Sequence, residues 1–197
     1  MNDLKTMALA AVSSYETAKD RLFVTVNRTP HPHGVICRVE DLYLNFHVLL
    51  SGNDEGRDSV IVTDKMLSLW KISAEELNKV ALANTAKLYP PKIGILPIGA
   101  ATNVTLGLTT VNELNGAVAL FYPGMAEKLS GYMGGSYFVI PSSVHELIIL
   151  PYDFMTPTEL KEKVKTVNDS GILTEEDILS YSVYYYDAVA GKFSIAS

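Results

Sequence analysis

Short connections between segments of alternating hydrophobicity are the feature that most constrains the fold of this chain. In residues 41–50, DLYLNFHVLL, every second residue is apolar, which is typical of a β-strand with one buried face. A stretch of turn residues, 51–58, separates this segment from a second strand-like one, SVIVT. Connections this short join antiparallel strands, because a parallel crossover needs about a dozen or more residues. The sequence therefore predicts a β-hairpin here.

The same reasoning predicts the order β-β-α-β-β-α-β for the second half of the chain. Its first two strands are predicted at residues 106–111 and 116–122, joined by a hairpin turn, NELN. A short helix is predicted over residues 125–133. The other predicted elements are strands SYFVI and ELIIL, a helix over 157–168, a short helix that starts at TEEDIL and a last strand, SVYYYDA.

Two helix N-termini carry clear capping signals. Ser73 and Glu76 have the spacing of a capping box, in which the hydroxyl accepts from a first-turn amide and the carboxylate reaches back to the cap. Thr156 and Glu159 repeat the device, with Pro157 at the first helical position. The helices that these signals predict cover residues 73–87 and 157–168, and an Ala-rich helix is predicted over 3–21.

Together these elements predict an α+β fold, mainly an antiparallel sheet with helices packed on it. The chain has 197 residues, of which 48% are apolar, and so it can bury a full-sized core. We expect a single domain over residues 1–197. A sub-boundary is predicted near residues 89–105, where YPPKIGILPIGAATN holds three prolines and two glycines.

Charge and composition disfavour several classes of partner. The net charge is −6, and no basic patch of the kind that binds nucleic acid is visible. No apolar run is long enough to cross a membrane. The single cysteine, Cys37, excludes an internal disulfide and fits a reducing compartment, so we expect a cytoplasmic protein. Neither glycine-rich nucleotide fingerprint is present, and we expect no cofactor.

Four segments of the chain are distinctive: FVIPSSVHELIILP, LWKISAEELNKVALANTAKLYPP, NGAVALFYPGMAEKL and VYYYDAVAGK. Together they resemble an uncharacterised bacterial domain-of-unknown-function family. In order and spacing the resemblance covers roughly residues 20–192. Members of that family usually have an additional N-terminal region, which implies that this chain is either a C-terminal portion of a longer architecture or a shortened relative. The resemblance supports the fold and carries no activity, substrate or site residue.

The segment SSVHE is the most chemically suggestive part of the chain. A hydrolase would use His145 as general base, Glu146 or Asp153 to orient it, and Ser142 or Ser143 as nucleophile or substrate-holding hydroxyl. The spacing favours a structural turn instead, because triad members are brought together by the fold and no G-x-S-x-G elbow is present. A hydrolase is therefore the alternative hypothesis.

A second cluster, His31, His33 and Cys37 with His47, holds residue types that bind metal ions. His31 and His33 could share one face of an extended chain. The two prolines of this segment favour a turn-like loop, and no further ligand follows at close spacing. These residues are weak metal candidates.

Tyrosine is unusually frequent, with 11 residues, and Tyr184, Tyr185 and Tyr186 are consecutive. On a strand Tyr184 and Tyr186 would share one face and Tyr185 would take the other. Tyrosine suits both a half-buried sheet face and a protein interface. Our leading hypothesis is a non-enzymatic binding or interaction module, with a protein partner or a second copy held at this strand.

Overall fold

The computed structural model describes residues 2–53, 56–97 and 104–197, with the backbone alone for 2–5, 52–53 and 56–57. The strands are β1 Leu22–Asn27, β2 Cys37–Val39, β3 Leu42–Asn53, β4 Gly56–Ile61, β5 Pro91–Leu96, β6 Thr105–Thr110, β7 Tyr137–Pro141, β8 Leu147–Pro151, β9 Tyr184–Asp187 and β10 Lys192–Ile195. The α-helices are α1 Asn2–Val12, α2 Tyr15–Ala18, α3 Asp64–Trp70, α4 Ala74–Leu88, α5 Met125–Met133 and α6 Pro157–Asp169. Two 3₁₀ helices cover Lys19–Arg21 and Gly116–Phe121.

In the described residues the strands form a four-stranded and a six-stranded sheet, and all their pairings are antiparallel. The predicted α+β fold is thereby confirmed. In the smaller sheet β3 pairs with β1, β2 and β4, which confirms the hairpin predicted around residues 51–58. The alternation of β3 is observed as burial, since its apolar residues from Leu42 to Val48 face the core.

The larger sheet has the order β10-β9-β7-β8-β6-β5. Its inner face carries side chains such as Leu106, Val139 and Ile149, which join the main core together with the apolar residues of β1 and β3. Residues that lie directly opposite on paired antiparallel strands share a face. The register therefore places Gly94, Gly107, Ile148 and Ile140 in one row on the outer face, and this row positions the candidate site: Gly94↔Gly107↔Ile148↔Ile140.

Helix α6 packs on the outer face and covers only part of it. Its buried residues Leu160 and Val164 form a second, smaller core with Phe138 and Leu150. The capping box predicted at Thr156 is present, because its hydroxyl accepts from the Glu159 amide while that side chain accepts from the Thr156 amide. At α4 only half of the predicted capping box is present among the described residues: the Ser73 hydroxyl accepts from the Glu76 amide, but the Glu76 side chain does not accept from the Ser73 amide.

The helix predicted over residues 3–21 is interrupted after α1. The Ser13 hydroxyl donates to the carbonyl of Ala10, and the Ser14 side chain caps the short α2. Serine side chains compete for backbone groups in this way, and so they favour helix ends over helix interiors.

The prediction of a strand over residues 116–122 is wrong, and so is the prediction of a hairpin turn at residues 112–115. This segment is the 3₁₀ helix Gly116–Phe121, entered through Asn115 in a left-handed conformation with φ of 50°. Gly116 presses so closely on β6 that a Cβ atom there would collide with the Thr109 hydroxyl and the His145 carbonyl oxygen. A short run that is apolar on all sides does not distinguish a buried strand from a buried helix.

Three other predictions need correction or remain open. The helix predicted from TEEDIL is a turn, in which the Asp177 amide donates to the Thr174 carbonyl. The strand SVYYYDA, predicted to be the last of the chain, corresponds to β9 and is followed by a further strand, β10. Residues 89–105 hold an edge strand, β5, paired along its length with β6. The division of the chain into domains stays a prediction, and residues 98–103 of that segment lie outside the described residues.

Candidate functional site

An apolar cavity lies between α6 and the outer face of β7 and β8. Its volume is about 440 Å³. Because α6 packs over Phe138 and Leu150, it leaves Ile140 and Ile148 half-buried. The remaining walls come from α6 and from the connection that precedes it, and the lining is mostly aliphatic and aromatic: Leu160, Val164, Val167, Phe154 and Met155, with Ser142, Lys163 and Asn168 as the polar members.

A polar cleft of about 400 Å³ adjoins this cavity on the same face of the sheet. Gly94 and Gly107 lie opposite each other on β5 and β6 in its floor; the space above Gly94 is open, whereas the side chains of Leu96 and Glu146 reach over Gly107. On one wall the Lys92 ammonium and the Glu113 carboxylate form an ion pair of 2.5 Å. The hydrogen bond and the charge of Lys92 hold the pKa of Glu113 below its usual range.

Glu146 differs from Glu113 because its carboxylate has no hydrogen-bond or ion-pair partner among the described residues. The side chain is half-buried and precedes β8 on the outer face. Its Oε1 atom lies 3.0 Å from the place where a Cβ of Gly107 would stand. The glycine therefore makes room for a carboxylate at the edge of the cleft.

His145 is held by hydrogen bonds at both ring nitrogens. The backbone N–H of Asn115 donates to Nδ1 at 3.0 Å, which leaves the ring proton on Nε2. That nitrogen donates to Oδ1 of Asp177 at 3.2 Å. A hydrogen bond from Thr174 and, second, the one from His145 lower the pKa of the Asp177 carboxyl below its ordinary value. In this tautomer neither ring nitrogen has a free lone pair.

The remaining hydrolase candidates lie in three different places. Ser143 lines the polar cleft, and its hydroxyl accepts from the backbone N–H of His145 at 3.0 Å. Ser142 lines the apolar cavity instead. Asp153 is exposed beyond the other end of β8 from His145. Among the described residues, no hydrogen bond joins the imidazole of His145 to either serine.

Sequence reasoning missed several residues that shape this site. Asp177 and Asn115 orient His145 from positions 32 and 30 residues away. Only the turn composition NELN, which ends at Asn115, gave a local signal, and it pointed to a hairpin. Gly94 and Gly107 were not predicted to lie together, because Gly94 fell in the segment interpreted as a sub-boundary and Gly107 in a strand. Their contact depends on the register of β5 and β6.

The consecutive tyrosines divide between the two faces of β9. Tyr184 and Tyr186 are buried on the inner face, and the Tyr184 hydroxyl donates to Asp41 at 2.5 Å. Burial and this hydrogen bond raise the pKa of Tyr184 above its ordinary value. Tyr185 lies on the outer face, with ring centroids 5.8 Å from Phe138 and 5.4 Å from Tyr152. These three rings line a shallow depression of about 210 Å³.

The metal candidates lie around the smaller sheet. The rings of His31 and His33 are 6.1 Å apart in the loop before β2, and Cys37 begins that strand. Burial raises the pKa of the Cys37 thiol. The ring of His47, on β3, stacks on the ring of Phe23, on the neighbouring strand β1. Within residues 2–53, 56–97 and 104–197 no group of three or more His, Cys, Asp or Glu side chains is placed to hold a metal ion.

The fold and the site define an α+β protein with two antiparallel sheets and with cavities on the outer face of the larger one. The chain matches DUF5688, a family of unknown function, over residues 2–97 and 103–188, and it belongs to that family. This confirms the resemblance to a domain of unknown function. No curated protein and no solved structure matches the chain. In the part of the chain that the structure describes, no helix is long and apolar enough to cross a membrane.

Proposed function

We propose that this protein is a non-enzymatic binding module whose ligand site is the outer face of the six-stranded sheet. The observation that carries the proposal is the apolar cavity of about 440 Å³ beneath α6. Cavities of this size, with apolar walls and few polar groups, are typical of small-molecule sites. The proposal includes a cytoplasmic location, which the single cysteine, Cys37, supports.

A ligand in the cavity would bury apolar side chains that the fold leaves in contact with water. Val167 is 47% exposed on α6, and Ile140 and Ile148 are half-buried on the sheet. Fully burying an aliphatic side chain contributes about 1.5 to 3 kcal/mol relative to leaving it exposed. Completing the burial of these three side chains would therefore favour binding of a small apolar molecule.

The proposal is tested by titrating the ¹⁵N-labelled protein with n-octanol and following amide chemical shifts. We expect saturable shift changes confined to β7, β8 and α6. The variant Val167→Trp should abolish them, because an indole at this rim position fills the mouth of the cavity. Val189→Trp is the matched control, since Val189 is 98% exposed in the β9–β10 turn.

Absence of saturable changes would contradict the proposal. So would changes that survive equally in the Val167→Trp and Val189→Trp variants, because the octanol would then be bound elsewhere.

A protein partner or a second copy is a further proposal for the same face. Tyr185 and Tyr152 with Phe138 form an aromatic group of the kind enriched at interfaces. Sedimentation velocity should detect self-association that Tyr185→Ala weakens. Tyr132→Ala, at an exposed tyrosine of α5, is the control. A monomer at all concentrations, or equal effects of both variants, would rule out self-association through Tyr185.

A hydrolase is the second candidate function, because Ser143, His145 and Glu146 line one cleft. The hydrogen bonds at both ring nitrogens of His145 weigh against it. Hydrolysis of p-nitrophenyl acetate distinguishes the two functions. A binding module should give equal background rates for His145→Ala and the control His33→Ala. Saturable turnover that is lost only in His145→Ala would favour the hydrolase.

A further inference from the structure

The apolar cavity and the polar cleft meet at one pair of residues. Ile148 lines the cavity, Gly107 lines the cleft, and the two are direct cross-strand partners on the outer face. Gly107 and its other partner, Gly94, have no side chains, and the side-chain atoms nearest to the Cβ position of Gly107 are Glu146 Oε1 at 3.0 Å and the Leu96 methyl carbons at 3.4 Å. An elongated ligand with its apolar part next to Ile148 would therefore place its polar end beside Glu146 and Leu96, above Gly94, where a Cβ atom would meet nothing within 4 Å.

The charged side chains of the cleft determine which charge the polar group of a ligand should carry. Lys92 is already paired with Glu113 at 2.5 Å, and this pair is neutral as a unit. The Glu146 carboxylate, which has no partner in the described part of the chain, is the charged group nearest to Gly107. Its partial burial weakens solvent screening, so an opposite charge is favoured there.

The other charged group at the apolar cavity gives no comparable selection. Lys163 is exposed on α6, and Glu159 lies one helical turn before it. An exposed lysine beside a carboxylate attracts an anion only weakly. Glu146 is therefore expected to attract a cation more strongly than Lys163 attracts an anion.

We propose that the ligand is an amphipathic aliphatic amine, whose alkyl chain fills the cavity beneath α6 and whose ammonium group pairs with Glu146. This inference rests on the proposed function and names the class of ligand for the same face. The ammonium would lie beside Glu146 and above Gly94, where a side chain at position 94 would stand in its way.

Three probes with the same chain length separate the contributions: octylammonium, n-octanol and octanoate, titrated by NMR at pH 7 and low salt. We expect octylammonium to bind about tenfold more tightly than octanol, the effect of one partly buried charge-assisted hydrogen bond. Octanoate should bind more weakly than octanol. In Glu146→Gln the affinities for octylammonium and octanol should become equal while octanol binding is unchanged, which also reports that the variant is folded.

Glu127→Gln is the matched control, because Glu127 is exposed on α5, whose buried residues pack on the inner face. Equal binding of octanol and octylammonium by the unmodified protein, a preference for octanoate, or an ammonium preference that survives in Glu146→Gln would overturn the inference and leave the binding module standing. If none of the three probes binds, both the inference and the proposed function fail.

Discussion

At the scale of single residues, the hydrogen bonds of His145 favour a structural imidazole over a catalytic base. A general base needs a lone pair directed at the proton that it removes. Here the Asn115 amide occupies Nδ1 and Asp177 accepts from Nε2. Through these two hydrogen bonds His145, which lies just before β8, is connected to the start of the 3₁₀ helix Gly116–Phe121 and to the turn that begins at Thr174.

We expect the neutral form of His145 to carry its proton on Nε2. Long-range ¹H–¹⁵N correlation spectra of the imidazole rings measure this directly, since protonated and unprotonated ring nitrogens have widely separated shifts. The spectrum of the exposed His33 provides the comparison. A proton on Nδ1 would mean that the Asn115 hydrogen bond is absent, and it would restore a free Nε2 lone pair to the hydrolase hypothesis.

His47 makes stability depend on pH. Burial, with a smaller contribution from the nearby His31, lowers the pKa of His47 from 6.5 to about 4. Between these values the unfolded chain binds more protons than the folded one, so the free energy of unfolding rises with pH across this window. The contribution is complete above pH 6.5, where it amounts to about 3 kcal/mol, and it is lost as the pH falls towards 4.

Urea unfolding at pH 4.5 and pH 7 measures this contribution. In His47→Gln the difference in stability between the two pH values should shrink, because glutamine does not titrate while it can still reach the hydroxyls of Thr25 and Ser59. His33→Gln should retain the difference. An unchanged difference in the His47 variant would assign the acid sensitivity to other groups.

At the scale of elements, α6 forms one wall of the apolar cavity, so the cavity depends on the stability of this helix. Its reciprocal cap joins Thr156 and Glu159, so Thr156→Ala should lower the free energy of unfolding by about 1 kcal/mol. Hydrogen exchange should accelerate at the first-turn amides of α6. Thr166→Ala is the control within the same helix, because the Thr166 hydroxyl bonds back to the Glu162 carbonyl and alanine is the better helix former. Equal destabilisation by both variants would contradict the role of the cap.

At the scale of the whole molecule, Asp41 ties the smaller sheet to the end of the larger one. Its carboxylate accepts hydrogen bonds from three hydroxyls, those of Ser180, Ser182 and Tyr184. Removing the acceptor leaves partly buried donors unsatisfied, and Asp41→Ala should cost about 2 kcal/mol or more of unfolding free energy. The exposed Asp153→Ala should cost little. Denaturant unfolding of both variants checks this, and equal stabilities would show that the network contributes nothing.

The parts of the fold that follow from local patterns were predictable. The alternation in residues 41–50 and the caps at Ser73 and Thr156 depend on neighbours a few residues away, and each is observed. Strand β5 was hidden because it begins at Pro91, which cannot donate a hydrogen bond to a neighbouring strand and is tolerated at a sheet edge, and the position of an edge is a property of the whole sheet. The hydrogen bond from His145 to Asp177 and the cavity beneath α6 depend on contacts over longer distances in sequence, so no local pattern contained them.

Isotope-filtered NOE spectra of the octanol complex, with labelled Ile and Val methyl groups, test most directly whether the outer face of the six-stranded sheet binds a ligand beneath α6. We expect contacts from the alkyl chain to Ile140, Ile148 and Val167. The contrary result is contacts to Ile95 and Val104 instead, which are exposed beside another depression, lined also by Tyr132. Octanol would then be bound to a different apolar surface, and the cavity beneath α6 would not be the site.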